Sequence, residues 1–260
     1  MASMKPAPYA VVPVKIMAHA KTRLAPALSF ARRLRLAREL LHHTLSVLAR
    51  YPGPTRTIVV SPDAGVLRLA RSRGMIALPQ TAHGGINRAV SLGCRHARSR
   101  GAVAVLTVPI DLPLLSAGSL RRFARPSAEP VIRVAPDRSG AGTNALYMQP
   151  VRVDFARFGD GSFRRHRARS VELGLREEIE HHPELAFDVD VPEDLALLAS
   201  GDSARTGRMS RTARTTGAGL YLRRIGARRS LIDRRSGPGI ACNLHDCGCR
   251  LRGETHPITS

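Results

Sequence analysis

Between residues 9 and 200 the chain alternates short β-branched runs with longer segments whose apolar residues return every three or four positions. A period near two followed by a period near 3.6, repeated several times, leaves few architectures open. Buried strands with helices laid across them, around a largely parallel sheet, satisfy it best. "YAVVPV" (9–14), "TIVVS" (57–61), "MIALP" (75–79) and "VAVLTVPI" (103–110) read as buried strands. "PVIRVAP" and "TNALYM" are two more, joined by "DRSGAG", and "AFDVDV" (186–191) reads as a short last strand. Helices are expected from Ser29, whose hydroxyl suits an N-cap, then over 63–74, 85–98, 119–125 and 162–175, and from Pro192 onward.

The resulting expectation is a flexible N-terminus (1–8), one domain (9–200) and a tail (201–260). The tail carries 12 arginines against 4 acids, and its first stretch, "GDSARTGRMSRTARTTGAG", has almost no large apolar residue, a composition that favours disorder. Its Cys242, His245, Cys247 and Cys249 lie close together but lack the paired C-x₂-C knuckles of a structural zinc site. The one remaining cysteine, Cys94, leaves the domain without a disulfide framework, as expected of a reducing cytoplasm. No apolar run is long enough for a membrane span, and a cytoplasmic location is expected.

The formal charge of +21 invites a nucleic-acid reading, but its distribution argues against one. Arginines are scattered along the chain, aromatic residues make up 4%, and tryptophan is absent, so stacking platforms are scarce. Lysine is used three times, at Lys5, Lys15 and Lys21, and two of the three fall within "VPVKIMAHAKTRLAP". A compact ammonium fits a tight phosphate site that a planar guanidinium does not.

Three features carry chemistry. "VLTVPIDLPLL" is an apolar strand ending at Asp111, and in open α/β sheets ligands bind beyond the carboxyl ends of strands, where a carboxylate can hold magnesium. In "FDVDVPEDL", Asp188 and Asp190 stand two apart and point to one side of an extended chain, so Asp190, with Asp188 beside it, can complete the metal site. Lys15, Lys21 and Arg23 follow the first strand as a cationic cradle for a triphosphate.

The series "VPVK…AKTRLAP", "VVSPD", "GGIN", "VPIDLPLL", "APDRSGAGTNAL", "RFGDGSFRRH" and "DVDVPEDL" resembles, in order and spacing, the CofC/FbiD family of guanylyltransferases. The resemblance implies a three-layer α/β/α, Rossmann-like nucleotide-diphospho-sugar-transferase fold with a mostly parallel sheet. It also implies GTP, Mg2+ and a phosphorylated three-carbon acid: phosphoenolpyruvate, 2-phospho-L-lactate or 3-phospho-D-glycerate. The labile product would pass to a downstream deazaflavin transferase in coenzyme F(420) biosynthesis. By the same resemblance Thr143, Gly159 and Ser162 belong to the acceptor pocket and Asn87 to the nucleotide side. An acceptor of another kind, such as a molybdopterin or a sugar phosphate, stays open at this point.

Overall fold

A computed structural model describes residues 7–81 and 84–200. The expected tail, with its Cys/His cluster, and most of the expected flexible N-terminus lie outside the described residues.

The strands are β1 (Tyr9–Pro13), β2 (Thr57–Ser61), β3 (Ile76–Pro79), β4 (Val105–Thr107), β5 (Val131–Pro136), β6 (Thr143–Gln149) and β7 (Glu177–Ile179). They form a seven-stranded sheet in the order β3-β2-β1-β4-β6-β5-β7. Every pairing is parallel except those of β6, which runs antiparallel to β4 and β5. The helices are α1 (Phe30–Arg50), α2 (Ala64–Ser72), α3 (Gly85–Ser99), α4 (Ala117–Phe123), α5 (Ser162–Glu172), α6 (Pro183–Ala186) and α7 (Pro192–Ser200).

Side-chain alternation along β1 shows how the layers are held. Ala10 and Val12 point into one apolar cluster with Leu41, Leu45 and Leu48 of α1, Val66 of α2 and Phe123 of α4. Tyr9 and Val11 point the opposite way, into a cluster with Val90 and Cys94 of α3 and the aromatic pair Phe155 and Phe158. A third cluster seats Phe187, Val189 and Leu195 on Leu36 and Leu40 of α1, which ties the end of the domain back to its beginning. On the α3 side the packing is tight at one point: a Cβ on Gly93 would lie 2.4 Å from Val11 Cγ1. Gly93→Ala is therefore expected to cost about 1–3 kcal/mol by overpacking, read as a lower urea midpoint with an unchanged slope. An unaltered midpoint would mean that α3 lifts off β1 freely.

Four local expectations need correction. The buried strand expected at 103–110 is only Val105–Thr107, because β4 finds partners just for that stretch of β1 and Pro109 follows closely; Val103 is 46% exposed. The segment 187–190 is extended but not a strand, since its one backbone bond to the sheet region is Val189 N–H to the Asp111 carbonyl, 3.1 Å. Helix α4 begins before Ser119, because Ser116 caps it in a reciprocal capping box with Ser119. Strand β7 was not expected, since its charged sequence hides an edge strand that pairs with β5.

Candidate functional site

Everything that carries chemistry gathers at the carboxyl ends of β1 and β4. The β1 connection holds its shape without glycine. Asp63 caps α2 through Oδ1, bonded to Gly65 N–H at 2.8 Å, and its Oδ2 accepts Met17 N–H at 3.1 Å, which pins the loop to the next βα unit. At Lys21 the backbone takes the left-handed conformation, φ 56°, a strained choice for a residue with a Cβ and one that clusters at functional sites.

That turn drives the Lys21 side chain inward, leaving it 6% exposed, between two carboxylates: Nζ donates to Asp111 Oδ2 at 3.0 Å and to Asp190 Oδ1 at 2.8 Å. Burial by itself would lower the Lys21 pKa, but the two carboxylates and their hydrogen bonds outweigh it and raise it above the ordinary lysine value. Burial likewise opposes the charge on Asp190, while Lys21, followed by Lys15 and Arg23, holds its pKa below the usual carboxylate range. Asp188 behaves differently. Burial, with Asp111 and Asp190 as like-charged neighbours, pushes it up to about 6.

Two hollows meet along this charged seam. The first, about 500 Å³, is lined by Lys15, Met17, Lys21 and Pro62 on one side and by Gln80, Gly85 and Ala89 at the start of α3 on the other. The second, about 470 Å³, is lined by Arg23, Asp137, Thr143, Asn144, Gly159, Ser162 and Asp188. Pro13, Ile86, Pro109, Asp111 and Asp190 line both, so Asp111 and Asp190 form a shared wall. The cradle expected from the three cations is thus split: Lys15 and Lys21 face the first hollow, Arg23 the second.

Thr143 opens β6 and Ser162 opens α5, both nearly buried, and Gly159 holds φ 112° in the turn before α5. Asn87 lines neither hollow. Its amide instead clamps the Phe158 backbone, accepting Phe158 N–H at 2.7 Å and donating to the Phe158 carbonyl at 3.1 Å. Asn87 thereby holds the Gly159 turn against α3. Among the described residues, no group of three or more His, Cys, Asp and Glu side chains closes on a point as a metal-binding set. Asp111 and Asp190 are organised around the Lys21 ammonium, with Asp188 alongside.

Over residues 9–216 the sequence matches the family described as "Guanylyl transferase CofC like". The chain belongs to that family. It is 37% identical over 206 residues to a phosphoenolpyruvate guanylyltransferase of Conexibacter woesei, covering 78% of this chain and 92% of that one. It is 40% identical over 195 residues to another of the same name from Rubrobacter xylanophilus, covering 74% and 94%. With a 2-phospho-L-lactate guanylyltransferase of Methanothermobacter thermautotrophicus the identity is 31% over 211 residues, covering 80% and 91%. Among solved structures, a candidate nucleotide-diphospho-sugar transferase from Desulfovibrio desulfuricans G20 superposes with a TM-score of 0.65 at 17% identity, covering 86% of this chain and 95% of that one. An inositol-1-phosphate CTP transferase from T. maritima gives 0.52 at 11%, covering 79% and 98%. Both likenesses bear on the fold alone, which is that of the nucleotide-diphospho-sugar transferases.

This CofC-like guanylyltransferase is thus a nucleotidyltransferase. Three site-building residues escape sequence reasoning. Asp63 is placed by the sequence at the start of a helix, but its grip on Met17 spans 46 residues and leaves no local trace. Asp137 organises "DRSGAG" by accepting Ala141 N–H at 3.0 Å and Gly142 N–H at 2.9 Å, an Asx-type arrangement that the Asp-x-x-Gly spacing hints at. His166, buried behind Thr143, is masked by the arginines around it. Its position four residues after Ser162, on the same helical face, is the signal that could have found it.

Proposed function

We propose that this guanylyltransferase moves the GMP unit of GTP onto the phosphate of a phosphorylated three-carbon acid, releasing pyrophosphate, within coenzyme F(420) biosynthesis. The observation that carries this reading is the pair of hollows joined along Asp111 and Asp190. In this reading GTP occupies the first, with its phosphates toward Lys15 and Lys21, and the small acid occupies the second, against Arg23, Thr143, Gly159 and Ser162. The second hollow is lined largely by polar and charged residues, Arg23, Asp137, Thr143, Asn144 and Ser162 among them, which supports a charged acceptor.

An oxygen of the acceptor phosphate attacks the α-phosphorus of GTP, a new P–O–P linkage forms, and the bond to the bridging oxygen of the β-phosphate breaks as pyrophosphate leaves. No general base is needed, because a phosphate monoester with a second pKa near ~6 is mostly dianionic at neutral pH. The chain's task is to hold two anions that repel each other in line. Lys21 does this with a fixed, buried positive charge, and the Asx loop at Asp137 together with the Asn87 clamp keeps the acceptor side rigid.

Asp111 and Asp190, the two carboxylates that flank the buried Lys21 ammonium, offer the hard oxygen atoms magnesium takes alongside phosphate and water, and Asp188 lies near enough to feel both charges. Asp111 and Asp190, with Asp188, would hold Mg2+, which would offset charge on the phosphates. The product, a nucleotide anhydride of a reactive acid, suits direct hand-over to a deazaflavin transferase.

Pyrophosphate release with GTP and Mg2+ tests the reading, with each of the three acids supplied singly and a downstream transferase present to trap product. Turnover with one acid, and with GTP well above ATP or CTP, is the expected result. Release with a sugar phosphate and none of the acids would move the assignment to the other acceptor class.

A further inference from the structure

His166 lines neither hollow, yet it is fully buried directly behind Thr143, which lines the second. Its Nδ1 lies 3.0 Å from Thr143 Oγ1, and its Nε2 lies 2.9 Å from the backbone nitrogen of Arg157. The ring stacks on Phe155, with interplanar angle 8°, and meets Phe158 edge-on at a centroid distance of 4.9 Å. Ser170 Oγ donates to the His166 backbone carbonyl, so the residue is fixed from several directions.

These contacts determine where the protons sit. The Arg157 N–H can only donate, so Nε2 must present its lone pair. Burial, aided by the charges of Arg165 and Arg157, lowers the His166 pKa to about 4, so the ring is neutral near pH 7 and its one ring proton sits on Nδ1. Nδ1–H therefore donates to Thr143 Oγ1. An oxygen that accepts there cannot turn its own hydrogen toward His166, which leaves the hydroxyl hydrogen of Thr143, a residue lining the second hollow, available to a ligand there.

We propose that His166 is a positioning residue that sets the Thr143 hydroxyl as a hydrogen-bond donor to an oxyanion of the acceptor, whether carboxylate or phosphate. The inference rests on the acceptor reading of the second hollow. A threonine that could equally accept or donate would not discriminate between an anion and a neutral hydroxyl. With one of its two lone pairs taken by His166, Thr143 is biased toward donating, and the strongest bond it can then make is the charge-assisted one to an anion. The sequence position is economical for this purpose: Ser162 and His166 share one face of α5, so a single helix supplies both a wall residue and the group that orients its neighbour.

The test compares wild type with His166→Phe, His166→Asn and Thr143→Val, alone and combined. His166→Phe keeps the aromatic packing and loses the donor, and is expected to reduce kcat/KM for the acceptor about tenfold through a higher acceptor KM, with the KM for GTP unchanged. His166→Asn restores a donor near the Nδ1 position and is expected to recover most of that loss. In the Thr143→Val background His166→Phe should add nothing further, because the two act through one hydrogen bond. An independent reading, free of turnover, is the imidazole tautomer by ¹⁵N NMR of the wild type: protonated Nδ1 and unprotonated Nε2 are expected. An Nε2–H tautomer, an unaltered acceptor KM in a folded His166→Phe, or losses that simply add with Thr143→Val would each overturn the proposal. Should His166→Phe fail to fold, the tautomer and His166→Asn decide it. Wild-type protein that releases no pyrophosphate with any of the three acids would instead overturn the acceptor reading itself.

Discussion

Asp111→Asn should lower turnover on the order of 10²- to 10³-fold, the range found when one preorganised charge-stabilising group is lost from an active site. Asp111 lines both hollows and receives Lys21 Nζ at 3.0 Å. The amide keeps the shape but supplies no negative charge, so the variant loses affinity for the divalent ion while Lys21 still has Asp190. Its thermal midpoint should stay close to that of wild type, since Asp111 sits at a cleft edge with 24% of its side chain exposed. Pyrophosphate release across a magnesium titration checks this. Near-normal turnover at saturating magnesium would remove Asp111 from the chemistry and with it the assigned metal site.

The largest effect on stability is expected at Arg133 on β5. Its guanidinium is almost wholly buried, lies over the Tyr147 ring with its carbon 5.2 Å from the centroid, and bonds Glu178 Oε2 through Nε at 2.6 Å. It also donates to the carbonyls of Phe123 and Arg125, so it joins α4 to the β5–β7 edge of the sheet. Arg133→Leu removes one partner of this nearly buried pair and leaves carbonyls and a carboxylate short of donors. Breaking such pairs costs about 3–5 kcal/mol, reduced here to about 2–3 because Glu178 is partly exposed and Arg125 still pairs with it.

The pH dependence follows from Glu178. The Arg133 hydrogen bond, against opposing burial and with help from the Arg133, Arg125 and Arg176 charges, holds its pKa below the ordinary value of 4.5. A carboxylate depressed in the folded state contributes stability that is present above its unfolded pKa and is lost as pH falls through the folded one. Wild type and Arg133→Leu should therefore differ most in denaturant midpoint near neutral pH and converge as pH falls through the depressed folded-state pKa of Glu178. A gap that stays constant with pH would mean that the loss is one of packing alone.

The sequence made the sheet legible wherever a strand is buried on both faces, because such strands have to be continuously apolar. It failed at the edges of that rule. Strand β7 reads as charged, because Glu178 is paired with Arg125, Arg133 and Arg176 and not solvated. "AFDVDV" has the period of a strand and the extended backbone of one, but α6 and α7 bracket it and no ladder forms, although the expectation that Asp188 and Asp190 share a side still agrees with their common hollow. The site residues were found one at a time, from strand ends and from family motifs. Their partnerships were not, since Lys21 meets carboxylates 90 and 169 positions away. Asn87 carries a contact that its motif does not announce, a clamp of its amide on the Phe158 backbone 71 positions away.

The lining of the two hollows follows the order of the chain. Apart from the shared wall and its immediate surroundings, the first is built from residues between Val14 and Ala89, and the second draws Asp137 through Ser162 from the later half. Under the proposed assignment of the hollows, donor and acceptor preferences fall largely in separate stretches of the gene, with Arg23 the exception from the early half. On that proposal a lineage would change its acceptor by altering the β5–β6 hairpin and α5 while the early half is inherited intact, and chimaeras cut between β4 and β5 are the natural way to exchange one preference without the other.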